Sequence, residues 1–156
     1  MRQKITGILA IVAVGGAMMA GGSIAQNTSP MNETPRTLDG TNWKLSGWTG
    51  RNLVEGTEIT ASFKGTNLGG SAGCNRYIAR YQTKEDSFSV KPEIATTMMA
   101  CPEPRMKQEQ AFLTALKGVR EYAINGAGEL QLVYRVPDGL GMLTFVRTAA
   151  PERGKK

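Results

Sequence analysis

Apolar and polar residues alternate along most of the sequence from residue 38 onward, and this two-residue period restricts the possible folds most strongly. Successive side chains of a β-strand point to opposite faces of the sheet, so the alternation predicts strands with one buried face. Glycine and asparagine in NGAG (125–128) and PDG (137–139) suit the tight turns of hairpins. The pattern predicts an antiparallel sheet whose inward side chains include Trp43, Leu45, Ile59, Ala61, Phe63, Phe88, Val90, Tyr122, Ile124, Leu130, Leu132, Tyr134, Val136, Leu143 and Phe145.

One segment breaks this alternation. In RMKQEQAFLTALKGV the apolar residues recur at helical spacing, at Phe112, Leu113, Leu116 and Val119. Pro104 and Gly118 fit a helix from about residue 104 to 118, because proline suits the first turn and glycine commonly ends a helix. The predicted fold class is α+β, with a strongly curved antiparallel sheet packed around this one main helix in a single domain.

The first 25 residues have the composition of an export signal. Arg2 and Lys4 precede an uncharged apolar run that ends in small residues at 23–25, which suits signal peptidase. We therefore predict a cleavable signal peptide over residues 1–25 and an exported protein, periplasmic or extracellular, without a stable membrane span. The alternative is an N-terminal membrane anchor, because the apolar run is long enough to cross a bilayer.

The rest of the chain divides by composition into three parts. Residues 26–37 are polar and contain proline, so we predict a flexible leader there. The alternating pattern assigns the folded domain to residues 38–149. Residues 150–156 form a basic tail.

Cys74 and Cys101 are the two cysteines of the chain, and each could be a nucleophile, a metal ligand or half of a disulfide. Outside the reducing cytosol, a pair of cysteines is expected to be oxidised. A zinc site would need further ligands, and the sequence contains no histidine to supply them. We therefore predict one disulfide, Cys74–Cys101, with a reactive thiol as the alternative.

Charge and the missing histidine restrict the classes of function. The net charge is +6, and removal of Arg2 and Lys4 with the signal leaves 17 bases against 13 acids, or +4. No run of five like charges occurs, so nucleic acid is not an expected partner. Without histidine, Ser-His-Asp and Cys-His catalysis are excluded.

Two routes to an enzyme remain in the sequence: a carboxylate pair such as Glu85 with Asp86, or a free Cys74 thiol. Glu85 and Asp86 are adjacent in an apparent turn, so their side chains are expected to point in different directions. We therefore predict no catalytic residue, no metal and no cofactor.

Three glycines, Gly69, Gly70 and Gly73, precede Cys74. The lysine and hydroxyl residue of a phosphate-binding P-loop do not follow them. We interpret these glycines as positions where another part of the backbone, here the disulfide partner, comes close.

Three fragments in sequence order resemble one protein family: GCNRY (73–77), TMMAC (97–101) and EQAFLTAL (109–116). The opening GTNWKL and the closing LTFVR also fit this family, so the resemblance covers residues 38–147. The chain is similar to the META domain, also called the HslJ-like domain, and resembles an exported bacterial-type member. The matching positions are Gly73, Cys74, Asn75, Tyr77, Thr97, Ala100, Cys101 and Glu109.

The resemblance implies a small α+β fold and a role in the bacterial envelope linked to stress and antibiotic tolerance, without a defined enzymatic activity. The motif residues are expected to be structural. Asn75 would hold its turn through local backbone, and Glu109 would cap or salt-link the helix start. Met98 and Met99 could be oxidation sensors, but we expect at least one of them to fill a gap beside the disulfide.

These observations favour a non-enzymatic exported module that acts as a monomer, binds a protein or an envelope component, and supports stress tolerance. The alternative is an exported inhibitor of a lysozyme or a protease. Charge argues mildly against a lysozyme target, because such enzymes are commonly basic and like-signed surfaces slow encounter.

Overall fold

The computed structural model describes residues 37–149. The predicted signal peptide (1–25), nearly all of the leader (26–37) and the basic tail (150–156) lie outside the described residues. Within these bounds the elements are β1 (Asn42–Trp48), β2 (Thr60–Lys64), β3 (Asn67–Ser71), β4 (Arg76–Lys84), β5 (Ser87–Val90), β6 (Ala95–Thr96), α1 (Glu103–Lys117), β7 (Val119–Ile124), β8 (Leu130–Val136) and β9 (Gly139–Thr148).

Eight of these strands close into an antiparallel barrel. Their order is β3-β2-β1-β9-β8-β7-β5-β4, and β4 pairs with β3 to complete the circle. The short β6 pairs with β4 beyond the end of β5. The prediction of a curved antiparallel sheet with one helix is confirmed in outline, and the curvature goes as far as full closure.

Of the strand pairings that form the barrel, the one between β5 and β7 is the shortest. It consists of a single residue pair, Ser87 with Glu121. The amide of Tyr122 also donates to the carbonyl of Asp86 at 2.9 Å. The other neighbours in the barrel share at least three registered pairs each.

The predicted alternation is confirmed along the strands. Of the positions expected to point inward, Val90, Ile124 and Val136 are half-buried and the others are buried. On β4, Tyr77, Ala79 and Tyr81 are buried, and the residues between them are exposed. Both predicted hairpin turns are present, between β7 and β8 and between β8 and β9.

Helix α1 agrees with the predicted span to within one residue at each end. Pro104 is its second residue, where a missing amide hydrogen costs nothing, and Gly118 ends it by donating to the carbonyls of Thr114 and Ala115. The assignment of Val119 to the helical stripe was wrong. Because the helix ends at Gly118, Val119 begins β7, where it is fully buried.

The two ends of the barrel differ. We call one the helix end; it comprises α1, the β1–β2 and β3–β4 loops and residues 97–102. There Phe112 packs edge-on against Trp48 and Tyr77, with ring centroids 6.3 and 5.5 Å away. The other, the far end, carries the β2–β3, β4–β5 and β7–β8 turns. Its aromatic cluster consists of Phe63, Tyr81, Phe88 and Tyr122, with neighbouring centroids 5.0 to 6.2 Å apart.

Candidate functional site

The Cys74–Cys101 disulfide predicted from the sequence is present, with the two Cα atoms 6.0 Å apart. It joins the β3–β4 loop to the segment that leads into α1. Because Cys74 is oxidised, the alternative of a reactive thiol at this position is not realised in the structure.

Beside the disulfide, the side chain of Asn75 is buried and uses its full hydrogen-bonding capacity. Its amide group donates to Glu109 Oε1 at 2.9 Å and to the carbonyl of Met99 at 3.3 Å. Its Oδ1 accepts from Thr97 Oγ1 at 2.9 Å and from the amide of Met99 at 2.7 Å. A carboxamide has two donor hydrogens and one acceptor oxygen with two lone pairs, so all four sites are occupied. These partners are distant in sequence, so the expectation that Asn75 would bond local backbone was wrong.

Glu109 completes this arrangement from the helix. Its Oε2 accepts from the backbone amide of Asn75 at 2.5 Å, while Oε1 accepts from the Asn75 side chain. The proposed role of Glu109 at the helix start was wrong, because the helix begins at Glu103 and Glu109 lies in its middle. The carboxylate instead holds the β3–β4 loop against the helix.

Thr97 attaches the segment that leads into α1, residues 97–102, to the start of β4. Its hydroxyl accepts from the amide of Arg76 at 3.1 Å, and its own amide donates to the carbonyl of Arg76 at 3.0 Å. We call the resulting set the Asn75 clamp. It consists of Cys74, Asn75, Thr97, Met99, Cys101 and Glu109.

The remaining motif residues lie at or near the clamp. Gly73 has a φ of +104°, which favours glycine, and a Cβ there would lie 3.2 Å from the side chain of Gln108. Tyr77 points into the barrel and donates its hydroxyl to the carbonyl of Thr60 at 2.9 Å. Burial raises the pKa of this phenol far above its ordinary value. Ala100 is exposed between the two clamped positions.

Sequence reasoning missed Gln108. This side chain is buried on α1, where Oε1 accepts from the amide of Val54 at 2.6 Å and Nε2 donates to Thr57 Oγ1 at 2.9 Å. It therefore fixes the β1–β2 loop to the helix. Its position four residues before Phe112 places it on the inward helical face, and this spacing was the available signal.

Two further expectations were wrong. Met98 and Met99 are 97% and 59% exposed, so neither fills a gap beside the disulfide. The close backbone approach at Gly70 is to Thr60 on β2, and not to the disulfide partner.

The adjacent acids Glu85 and Asp86 form the β4–β5 turn at the far end, away from the clamp, and both are exposed.

A groove with a volume of about 960 Å³ lies on the outer face of β1–β4, beside the clamp. Its floor follows one register row across the strands, from Ser62 to Gly69 to Ile78, and the row continues to Ala95 on β6. Thr97 lines one wall, so a clamp residue also shapes the groove.

Within residues 37–149, no helix has the length and apolar character needed to cross a membrane. The same stretch holds no group of three or more cysteine or carboxylate side chains arranged to hold a metal ion.

Comparison with known proteins agrees with this architecture. The family model of the META domain matches residues 36–148. An NMR structure of a protein from Burkholderia xenovorans is similar, with 31% identity and a TM-score of 0.60 over 72% of this chain and 85% of that one. A second NMR structure shares the fold at 20% identity and a TM-score of 0.55, covering 69% of this chain and 89% of the other. No curated protein matches at a significant level.

Proposed function

Because the chain belongs to the META domain family, we propose that it is a non-enzymatic exported module, of the HslJ-like type, that binds a protein or an envelope component. By binding this component, the protein would support stress tolerance. The mature form would begin after residue 25 and would act as a monomer in the periplasm or outside the cell. The disulfide supports this location, since such bonds persist in oxidising compartments.

The observation that carries the proposal is the contrast between the clamp and the groove beside it. The hydrogen-bonding groups of Asn75 are used within the protein, which fits a structural role for the family motif. The groove, in contrast, is open to solvent and is lined by Ile78, a large apolar side chain that is 55% exposed. A fixed wall beside an open groove is the arrangement of a preorganised binding surface, which loses less conformational entropy on binding.

Site-specific crosslinking in the living host tests this proposal. A photoreactive amino acid is placed at Ile78 in the groove, and at Leu140 in the matched control. Leu140 is also large, apolar and exposed, at 63%, and lies in the β8–β9 hairpin. We expect a discrete crosslinked product from position 78 and none from position 140. Crosslinking at neither position, or equally at both, would contradict a binding role for the groove.

The same experiment addresses the inhibitor alternative. If the product from position 78 contains a lysozyme or a protease, the purified protein should inhibit that enzyme tightly and in a one-to-one ratio. Capture of a product that is not an enzyme would favour the envelope-module proposal.

A further inference from the structure

We propose that the groove takes an extended acidic segment of a protein partner, one with acidic, apolar and acidic side chains at alternate positions. The inference rests on the proposed binding function and specifies the chemistry of the partner. Arg76, Arg80 and Lys64 would contact the acidic side chains, and Ile78 would contact the apolar one.

The first argument is the charge of this face. Lys64 and Arg76 line the groove, and Lys44 and Arg80 occupy exposed positions paired with the lining residues Thr60 and Asn67. Among the residues that line the groove, the acid is Glu58, just before β2, whose carboxylate lies 3.6 Å from the ammonium of Lys44. Neither this ion pair nor the Lys107–Glu103 pair on the helix involves the other three bases. The face is therefore complementary to an anionic ligand.

The second argument is the spacing of these bases. Arg76, Ile78 and Arg80 are alternate residues of β4, so all three point outward along one line. Lys64 lies in the same register row as Arg80, with Asn67 between them. An extended peptide laid along β4 has the same two-residue period, so every second side chain would face a base or Ile78.

The third argument distinguishes a peptide from other anionic ligands. Gly69 lies directly opposite Ile78 and has no side chain to cover it, so the isoleucine is left 55% exposed. A polyphosphate or a sulfated polysaccharide would satisfy the bases but would leave this apolar surface in water. A peptide can bury it with a valine or a leucine placed between two acidic residues.

The test is a binding titration of the full exported chain, in which fluorescence anisotropy measures binding of a labelled probe. The probe is a labelled nonapeptide in which glutamate, valine and glutamate occupy alternate positions, with serine between them. A second peptide carries lysine in place of glutamate. We expect saturable binding of the acidic peptide that weakens with added salt, and no binding of the basic one.

Three variants locate the binding surface. Arg76→Glu and Arg80→Glu should each weaken binding about tenfold or more, since each places a like charge opposite the ligand. Ile78→Ser should weaken it about threefold, through loss of apolar contact. The control is Arg135→Glu, which makes the same change of charge at an exposed position on β8, and it should leave affinity unchanged.

Other outcomes overturn the inference. No saturation by about 1 mM peptide would mean that the groove does not recognise this chemistry. An equal loss in Arg135→Glu would mean attraction to net charge alone. Strong competition by inorganic polyphosphate or by vesicles of anionic phospholipid, with no effect of Ile78→Ser, would assign the face to an anionic polymer or a lipid surface instead.

Failure here is separable from failure of the proposed function. If crosslinking from position 78 persists unchanged in the Arg76→Glu and Arg80→Glu variants, the groove binds a partner but not through acidic side chains. If crosslinking from position 78 fails in the unmodified protein, the proposed function fails with it.

Discussion

The helix end and the far end of the barrel are stabilised by different interactions. At the helix end, the β3–β4 loop, residues 97–101 and α1 are joined by the disulfide and by the hydrogen bonds of Asn75, while Gln108 fixes the β1–β2 loop. At the far end, short turns connect adjacent strands, and the four aromatic rings of the cluster pack against one another. Both ends are packed with aromatic rings, and the helix end adds directional polar contacts between its loops and the helix.

This difference follows from chain connectivity. The far-end turns have two residues (β2–β3 and β4–β5) or five (β7–β8), and each connects strands that pair with one another, so this end needs little beyond a filled core. The loops of the helix end are separated in sequence, and the β1–β2 and β3–β4 loops share only an isolated β-bridge, between Ile59 and Ala72. Asn75 and Gln108 supply bonds that are specific in direction, and both are buried, so losing a partner leaves a desolvated polar group. The helix end should therefore be the more sensitive to loss of a single polar contact.

The largest expected effects are equal at the two ends. Phe88→Ala at the far end and Phe112→Ala at the helix end should each lower the free energy of unfolding by about 3–5 kcal/mol, because both rings are fully buried. Urea denaturation measures both. A cost below about 1 kcal/mol for Phe112→Ala alone would show that polar contacts, without apolar packing, hold the helix.

Removing the disulfide should affect the helix end more than the far end. The Cys74→Ser/Cys101→Ser variant should lose about 3–4 kcal/mol of stability, since the bond restricts the unfolded chain over a separation of 27 residues. Reductant should destabilise the unmodified protein similarly and leave this variant unaffected. Hydrogen exchange should then rise first in residues 97–102. An equal rise at the far end would contradict a local role for the bond.

Two asparagines provide a matched comparison of the ends. Asn75→Ala should cost about 2–4 kcal/mol, because it leaves buried partners such as the amide of Met99 unsatisfied. Asn125→Ala, in the β7–β8 turn, should cost about 1 kcal/mol, since this side chain bonds a half-exposed turn. Thermal and urea denaturation measure both variants. Equal costs would contradict the view that the helix end is the more sensitive.

The smallest effect concerns tyrosine ionisation. Burial raises the pKa of Tyr77, and burial, followed by Asp39 and Tyr122, raises that of Tyr81. An unfolded tyrosine loses its proton near pH 10, where the folded protein retains it, so stability should fall as pH rises above about 10.

Tyr77→Phe should lose about 1 kcal/mol at neutral pH with the Thr60 hydrogen bond, and should show a shallower alkaline decline. Melting temperatures from about pH 8 to pH 11 measure this. Tyr81→Phe removes the other phenol whose pKa is raised, so it should also make the decline shallower, and the double variant Tyr77→Phe/Tyr81→Phe should show the shallowest decline. If the stability of Tyr77→Phe fell with rising pH as steeply as that of the unmodified protein, the alkaline decline could not be assigned to Tyr77.

The far end could be predicted from the sequence more fully than the helix end. Alternation at residues such as Phe63 and Phe88 is a local signal, and the turn residues of NGAG lie next to one another in the chain. Strand β3 gave no such signal, because Gly69 and Gly70 carry no side chain, and β6 is too short for a period. Closure of the barrel was missed because it depends on pairing between β5 and β7, which the helix separates in sequence.

At the candidate site too, local features could be predicted from the sequence and long-range contacts could not. The sequence predicted the disulfide from compartment and composition, and the family motif marked Asn75 and Glu109 as matching positions. Their partnership could not be predicted, because a hydrogen bond between residues 34 positions apart leaves no periodic pattern. Nor could the alternation indicate that Gly69 would leave Ile78 exposed, since a two-residue period records only which face a residue occupies.

The Cys74–Cys101 bond also makes part of the chain a covalent ring. This ring contains β4, β5 and β6, and Lys84, the last residue of β4 before the β4–β5 turn, is exposed. A protease that cuts within the ring would therefore leave the two fragments joined through sulfur. The nicked protein would keep one molecular mass until it was reduced, and its strands would remain positioned to pair in the barrel.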